Sequence, residues 1–230
     1  MNEIYHIYNR GVEKRKIFQS DSDKLRFIHD LFEFNDKETV SNTLYHFNKQ
    51  HIEVKPRYVE QEKKKQRKLI VKILAFCLMP NHLHLLLQPC VENGIPKFMQ
   101  KLNTGYTMYF NKKYERVGSL FQGTYKSVRI TNDAHLIHIP YYIHLNPLDL
   151  KYPEWRDRKV KNYATAMNFL EHYRWSSFLD YIGKKNFPSV TQRDFLLNFF
   201  EGPAQYKKDT LKWLKEMDLE EMKHLILERF

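Results

Sequence analysis

Cysteine is nearly missing from this chain: Cys77 and Cys90 are the only two in 230 residues. They form neither a C-x-x-C pair nor a disulfide framework, which leaves a reducing cytoplasm as the simplest compartment. Long apolar runs are missing as well. Charge interrupts every apolar stretch within about ten residues, too few to cross a bilayer. Met1 leads directly into Asn2, Glu3 and Ile4, so no secretory leader is expected. No repeat recurs at a solenoid period. Acidic residues are comparatively scarce: 27 Asp and Glu stand against 38 Lys and Arg, a formal net charge of +11.

With 42% hydrophobic and 15% aromatic residues, the chain can build a substantial core and is not disordered as a whole. Its length fits one large domain, or one domain with an appendage. A pI near 9.4 favours polyanions, and no basic amphipathic anchor points to lipid, so nucleic acid is the expected partner. The bland alternative is a solvated basic surface that aids solubility.

Ile4 to Tyr8 is aromatic and β-branched and predicts a strand, turned by Asn9, Arg10 and Gly11. Leu25, Ile28, Leu31 and Phe32 recur at helical spacing behind a Ser20–Ser22 cap candidate, so 21–34 predicts a helix. Residues 36–68 are polar, and Lys55 to Lys68 hold seven basic and two acidic residues. They read as a solvent-facing loop or hairpin-like insertion, either a solvated charge run or a DNA-contacting arm. Leu69–Leu78 and His82–Gln88 predict an antiparallel hairpin across Met79, Pro80 and Asn81. A helix over 96–114, a strand over 119–130 and a helix from Asn132 or Asp133 to Leu145 follow, the last stopped by Asn146–Pro147. Trp155–Lys161 reads as a charged connector. Asn162–Leu170 and Trp175–Tyr181 read as short helical pieces ending at Gly183, and the pattern is helical from Thr191 onward. The last 30 residues hold six basic and seven acidic groups, so they do not share the basic character of the middle.

The chemistry concentrates in Met79-Pro80-Asn81-His82-Leu83-His84. Side chains alternate along a strand, so His82 and His84 share one face and Leu83, Leu85 and Leu87 the other. Two imidazoles on a rigid strand suit a divalent metal, although strand histidines more often satisfy a hydrogen bond. Tyr142 and Asn146 lie four apart on the last helix of the middle region and share a face. A tyrosine hydroxyl, with a pKa near ~10, is a poor nucleophile unless a metal or a basic group assists it. An amide oxygen is a hard donor able to complete a coordination sphere. Paired tyrosines on a helix also commonly pack in a core. Pro140 predicts a kink that bears on whether Tyr141 or Tyr142 is presented. His138, four before Tyr142, is either a proton acceptor or a packed core residue.

The run Met79–Leu87, then Leu120-Phe121-Gln122-Gly123-Thr124-Tyr125-Lys126-Ser127, then Tyr142-Ile143-His144-Leu145-Asn146-Pro147, resembles the IS200-like Y1 transposase family. More narrowly, it resembles the REP-associated tyrosine transposase branch. Trp175-Ser176-Ser177-Phe178 with Tyr181 and Gly183, and the opening Tyr5–Gly11, fit that branch too. The resemblance spans about residues 4–183.

The resemblance implies an α+β fold: a ferredoxin-like antiparallel sheet with helices packed on it. The catalytic domain would cover 1–185, with 36–68 as its basic insertion and 186–230 as a helical C-terminal extension. It implies a single-stranded DNA endonuclease and strand transferase of the HUH class. His82 and His84 would be the metal pair, Asn146 the third ligand, and Tyr142 the nucleophile that forms a 5′-phosphotyrosine. Mg²⁺ or Mn²⁺ is the expected cofactor, and hairpin-bearing single-stranded DNA the expected partner, met by a monomer or homodimer with no membrane association. Arg10, Gln122, Tyr125, Lys126 and Arg129 are the expected DNA contacts, with Lys126 and Arg129 on different faces of their strand; an exposed strand lysine is the alternative for Lys126. A non-catalytic nucleic-acid-binding protein that keeps the fold is the main rival. A zinc hydrolase with a metal-bound hydroxide and a two-histidine phosphoesterase are further ones.

Overall fold

A computed structural model describes residues 3–38, 45–47, 54–56, 67–216 and 219. Its strands are β1 (Ile4–Arg10), β2 (Tyr45–Phe47), β3 (Val54–Pro56), β4 (Val71–Met79), β5 (His82–Pro89) and β6 (Lys126–Ile130). Its α-helices are α1 (Asp21–Glu33), α2 (Gly94–Lys113), α3 (Asp133–Leu145), α4 (Tyr163–His172), α5 (Phe178–Tyr181), α6 (Asp194–Phe199) and α7 (Pro203–Glu216).

Four strands form one sheet in the order β4-β5-β1-β6, and every neighbouring pair is antiparallel. With α1 crossing from β1 to β4 and α2 from β5 to β6, this is the ferredoxin-like βαββαβ arrangement. The β4–β5 hairpin closes over Pro80–Asn81, with Met79 opposite His82. The start of α1 is fixed by Asp23, whose carboxylate accepts the N–H groups of Gln19 and Ser20 at 2.9 Å each. Gly11 closes β1 because a Cβ there would collide with the Arg15 carbonyl oxygen.

Strand parity decides which core each side chain joins. Ile7, Leu83, Leu85 and Leu87 face α1 and α2, where Phe27, Leu31, Phe98 and Tyr106 are buried. Leu74, Ala75, Cys77 and Leu86 face the other way and pack beneath α3. Each fully buried aliphatic side chain contributes about 1.5–3 kcal/mol. The two leucine and histidine faces of β5 are therefore separated as alternation predicts.

Three expectations need correction. The strand expected over 119–130 is confined to Lys126–Ile130. Gly118 and Gly123 take positive φ (86° and 70°) and bend the preceding segment, leaving Phe121 only a single bridge to Gly11. Trp175 and Ser176 are not helical: the Trp175 carbonyl accepts from Leu78 N–H at 2.8 Å, and Ser176 bridges Cys77 on the edge of β4. The connector at 155–161 is no plain linker, since Trp155 is buried in the α3 core. Within the insertion expected over 36–68, β2 and β3 pair antiparallel; residues 39–44, 48–53 and 57–66 lie outside the described residues, as do 217, 218 and 220–230 of the extension.

Candidate active site

The site forms where β1 and β5 meet α3. In the antiparallel register Arg10 stands opposite His82, Tyr8 opposite His84 and His6 opposite Leu86. Directly opposed residues share a face, so His6, Tyr8 and Arg10 line the same side of the sheet as the two histidines. His84 and His6 are fully buried, and their Nδ1 and Nε2 atoms are 2.9 Å apart. Their rings are stacked with centroids at 5.2 Å. His82 is half-buried and bonds through Nδ1 to the Asn81 side-chain oxygen at 2.7 Å. Its ring stands nearly perpendicular to that of His84, at 88° and 5.2 Å. Tyr8 packs beside both imidazoles, 5.6 Å from His82 and 5.2 Å from His84.

Helix α3 brings Tyr142 onto this cluster. Asn132 caps the helix by accepting the His135 N–H at 2.8 Å, and the helix runs through Pro140 to Leu145. The Tyr142 ring meets His84 edge-on at 5.7 Å and His6 at 6.1 Å. Tyr141 points to the opposite side of the helix, stacked on Tyr206 at 4.9 Å and beside Phe200 at 5.2 Å; burial pushes its phenol pKa up. His138 shares that outer side and accepts from the Trp213 indole N–H at 3.1 Å, so it is packed against α7. A cavity of about 590 Å³ opens there, bordered by His138, Tyr141 and Trp213 rather than by Tyr142.

Asn146 is fully buried one turn beyond Tyr142. Its amide Nδ2 donates to the Tyr142 carbonyl at 2.8 Å, and its Oδ1 faces Arg156 Nη2 at 3.4 Å. Arg156 also lies over the Tyr142 ring at 5.7 Å and pairs with Asp149 at 2.5 Å. Together with Trp155, 6.4 Å from the Tyr142 ring, it covers the tyrosine, which has no exposed surface.

The family described as IS200-like transposases has a model that matches residues 2–146. The chain belongs to the IS200-like transposase family. The matched span runs from β1 through both histidines and Tyr142 to Asn146. A solved REP-associated tyrosine transposase bound to a REP hairpin shares the fold, at 12% identity and a TM-score of 0.50, over 82% of this chain and 84% of that one. No curated protein matches the chain.

The residues expected to contact nucleic acid do not all lie on the histidine face. Lys126 stands opposite Tyr8, and its ammonium lies 5.9 Å from that ring, so it borders the histidines. Arg10 does too, and its Nε donates to Gln122 Oε1 at 2.5 Å. Arg129 is opposite Tyr5 on the other face and pairs with Glu3 at 3.0 Å. Tyr125 packs against the α1–α2 core, and burial raises its pKa. His6, Tyr8, Trp155 and Arg156 pack in this cluster without having been expected there as functional residues. Strand alternation in Tyr5-His6-Ile7-Tyr8 was the available signal for the first two. Arg156 had none, because nothing in a charged stretch tells which helix it will cover.

Among the described residues, the cluster of three His, Asp or Glu groups whose ligand atoms all lie within 4.8 Å is His29, Asp30 and Glu33 on α1. Arg26 pairs with the buried Asp30 at 2.8 Å and His29 lies 3.1 Å from Glu33, which accounts for that cluster as an ion-pair group around a buried carboxylate. No described helix is long and apolar enough to cross a membrane.

Proposed function

We propose that this transposase is a metal-dependent single-stranded DNA endonuclease and strand transferase, acting in DNA transposition or on REP-type hairpins, with Tyr142 as its nucleophile. The observation that carries the reading is the meeting of two elements: His82 and His84 on β5, with rings 5.2 Å apart, and Tyr142 on α3, whose ring lies 5.7 Å from His84. Mere core packing does not call for a tyrosine against two imidazoles.

In this reaction the Tyr142 oxygen attacks a phosphodiester. The new O–P bond leaves a 5′-phosphotyrosine, and the broken P–O bond releases a 3′-hydroxyl that takes up a proton. Attack by a 3′-hydroxyl on the phosphotyrosine reverses the exchange and restores the phenol. The bond energy is conserved, so rejoining needs no nucleotide cofactor. The donor set fits a divalent ion: two imidazoles on one strand face and the Asn146 amide oxygen, which faces Arg156 in this state. Bound there, Mg²⁺ or Mn²⁺ would act as a Lewis acid on the phosphate. Arg10 and Lys126 supply positive charge on the same side for the strand's phosphates.

Tyr142 is closed over by Trp155 and Arg156, so a phosphodiester reaches it only when the Pro153–Asp157 turn moves aside. The same closure favours a second reading, a nucleic-acid-binding protein that keeps the transposase fold without cutting. Incubation with Mn²⁺ and hairpin-bearing single strands separates the two. The nuclease reading expects a covalent protein–DNA adduct that Tyr142→Phe abolishes and Tyr141→Phe preserves. Binding without any adduct supports the second reading, and an adduct that survives Tyr142→Phe places the nucleophile elsewhere.

A further inference from the structure

Both proposed ligand histidines are held from behind by a second side chain, through the ring nitrogen nearer the backbone. We infer that Asn81 and His6 are positioning residues that set the tautomers of His82 and His84, so that both imidazoles carry their lone pair on Nε2. The inference rests on the two-histidine ligand reading above and deepens it.

For His82 the argument is closed by hydrogen-bond chemistry. The Asn81 amide Nδ2 donates to the Lys14 carbonyl at 3.3 Å. That turns Oδ1 toward His82 Nδ1, 2.7 Å away. An amide oxygen only accepts, so Nδ1 of His82 carries the proton and Nε2 the lone pair. The turn that begins the hairpin thus also selects the tautomer of its first histidine.

For His84 the partner is another imidazole, His6, with His84 Nδ1 and His6 Nε2 at 2.9 Å. One proton lies between those two nitrogens. If His84 donates it, its lone pair sits on Nε2, as in His82. Geometry favours this choice for a shared ligand. Residues two apart on a strand are separated by about 6.6 Å along it. Only the far ring atoms, the Nε2 pair, can close that gap; the Nδ1 atoms are held back by Asn81 and His6. Metal-binding histidines generally need such a partner on the other nitrogen to fix ring and proton. His6 reaches His84 diagonally from β1, and both are fully buried, so neither ring can rotate away without stranding a buried polar atom.

The test reads protons and metal separately. Long-range ¹H–¹⁵N correlation on metal-free, histidine-labelled protein should show Nδ1–H on both His82 and His84. His6→Phe removes the acceptor, and His84 should move toward the Nε2–H form that free imidazole prefers. Mn²⁺ binding, followed by electron paramagnetic resonance, should weaken about 10- to 100-fold in His6→Phe and in Asn81→Ala. His6→Gln keeps an acceptor in place and should restore both readouts, which separates positioning from loss of fold. An Nε2–H tautomer at either histidine of the wild type overturns the inference. So does a folded His6→Phe protein with wild-type tautomers and Mn²⁺ affinity, an outcome that leaves the ligand reading intact. Wild-type protein that binds no Mn²⁺ removes the ligand reading and this inference with it.

Discussion

Arg156 is the side chain on which the closed state of the site depends. Its guanidinium grips Asp149 with two bonds, at 2.8 and 2.5 Å, and the pair is largely withdrawn from water. The Trp155 indole N–H donates to the same carboxylate at 2.6 Å. Arg156→Ala leaves that carboxylate with the indole alone, an uncompensated charge in a mostly buried place. The expected cost is about 3 kcal/mol, measured from denaturant midpoints. Losing the guanidinium from above the Tyr142 ring should also open the phenol to reagents. Nitration of folded protein, mapped by peptide, should then rise at Tyr142 and stay low at Tyr206, which is buried elsewhere. Equal labelling of Tyr142 in the variant and the wild type would mean that Arg156 is not the cover. At this scale strand parity placed His82 and His84 on one face, whereas Tyr142 was singled out only by the family resemblance, because the same spacing also suits a packed tyrosine. Arg156 was not legible, because its role depends on where a turn folds back.

Helix α3 must present Tyr142 to the sheet, and its angle is pinned from behind by His144. His144 Nε2 is 2.8 Å from the Ser177 hydroxyl, and Nδ1 is 2.7 Å from the Tyr206 hydroxyl. Ser177 in turn accepts the Phe76 N–H at 2.9 Å. One imidazole therefore ties α3, the edge of β4 and α7 together, and the Trp-Ser-Ser-Phe motif is explained as its receptor. Burial holds this histidine neutral, its pKa pushed down to about 3. The unfolded chain would accept a proton near ~6.5, so the unfolded state binds more protons between those values. Stability is thus full above about pH 6.5 and declines as the pH falls, by up to about 1.4 kcal/mol per pH unit from this group. His144→Phe should cost roughly 1–3 kcal/mol, chiefly from the stranded Tyr206 hydroxyl, since Ser177 keeps its bonds to Phe76. It should also flatten the slope of stability between pH 4 and 6.5 in urea titrations; an unchanged slope would mean His144 is not the responsible group. Helices α1 and α2 were readable from apolar spacing, α3 from its Asn132 cap and its Asn146–Pro147 stop, and the β4–β5 hairpin from two apolar runs around Met79, Pro80 and Asn81. The strand read over 119–130 was overextended because Gly118 and Gly123, with positive φ, break the extended backbone around its β-forming residues, which composition does not reveal.

Over the whole molecule, both faces of the sheet are covered, one by α1 and α2 and the other by α3 with the C-terminal helices. Reading 186–230 as an extension was reasonable, since its charge balance differs from the basic middle. What a one-dimensional pattern could not convey is which surface it would meet. Leu196, Phe200, Tyr206, Trp213 and Leu214 are buried in the same cluster as Ile139, Tyr141 and Tyr142. The helices that follow residue 190 are thus structural support for α3, which carries the proposed nucleophile. Removing α7 would take the Tyr206 hydroxyl from His144, the Trp213 indole from His138 and the stacked ring from Tyr141. Loss of a buried aromatic side chain costs about 3–5 kcal/mol, and a domain of this kind has only about 5–15 kcal/mol in total. Two such losses consume most of that margin. A chain ending at Gly202 should therefore lack a cooperative thermal transition and near-ultraviolet dichroism, bind a hydrophobic dye, and form no DNA adduct, although it retains every residue proposed for chemistry. A truncated chain that melts cooperatively and still forms the adduct would show that α3 holds its angle without α7, and the pinning argued from His144 would then have to come from Ser177 alone.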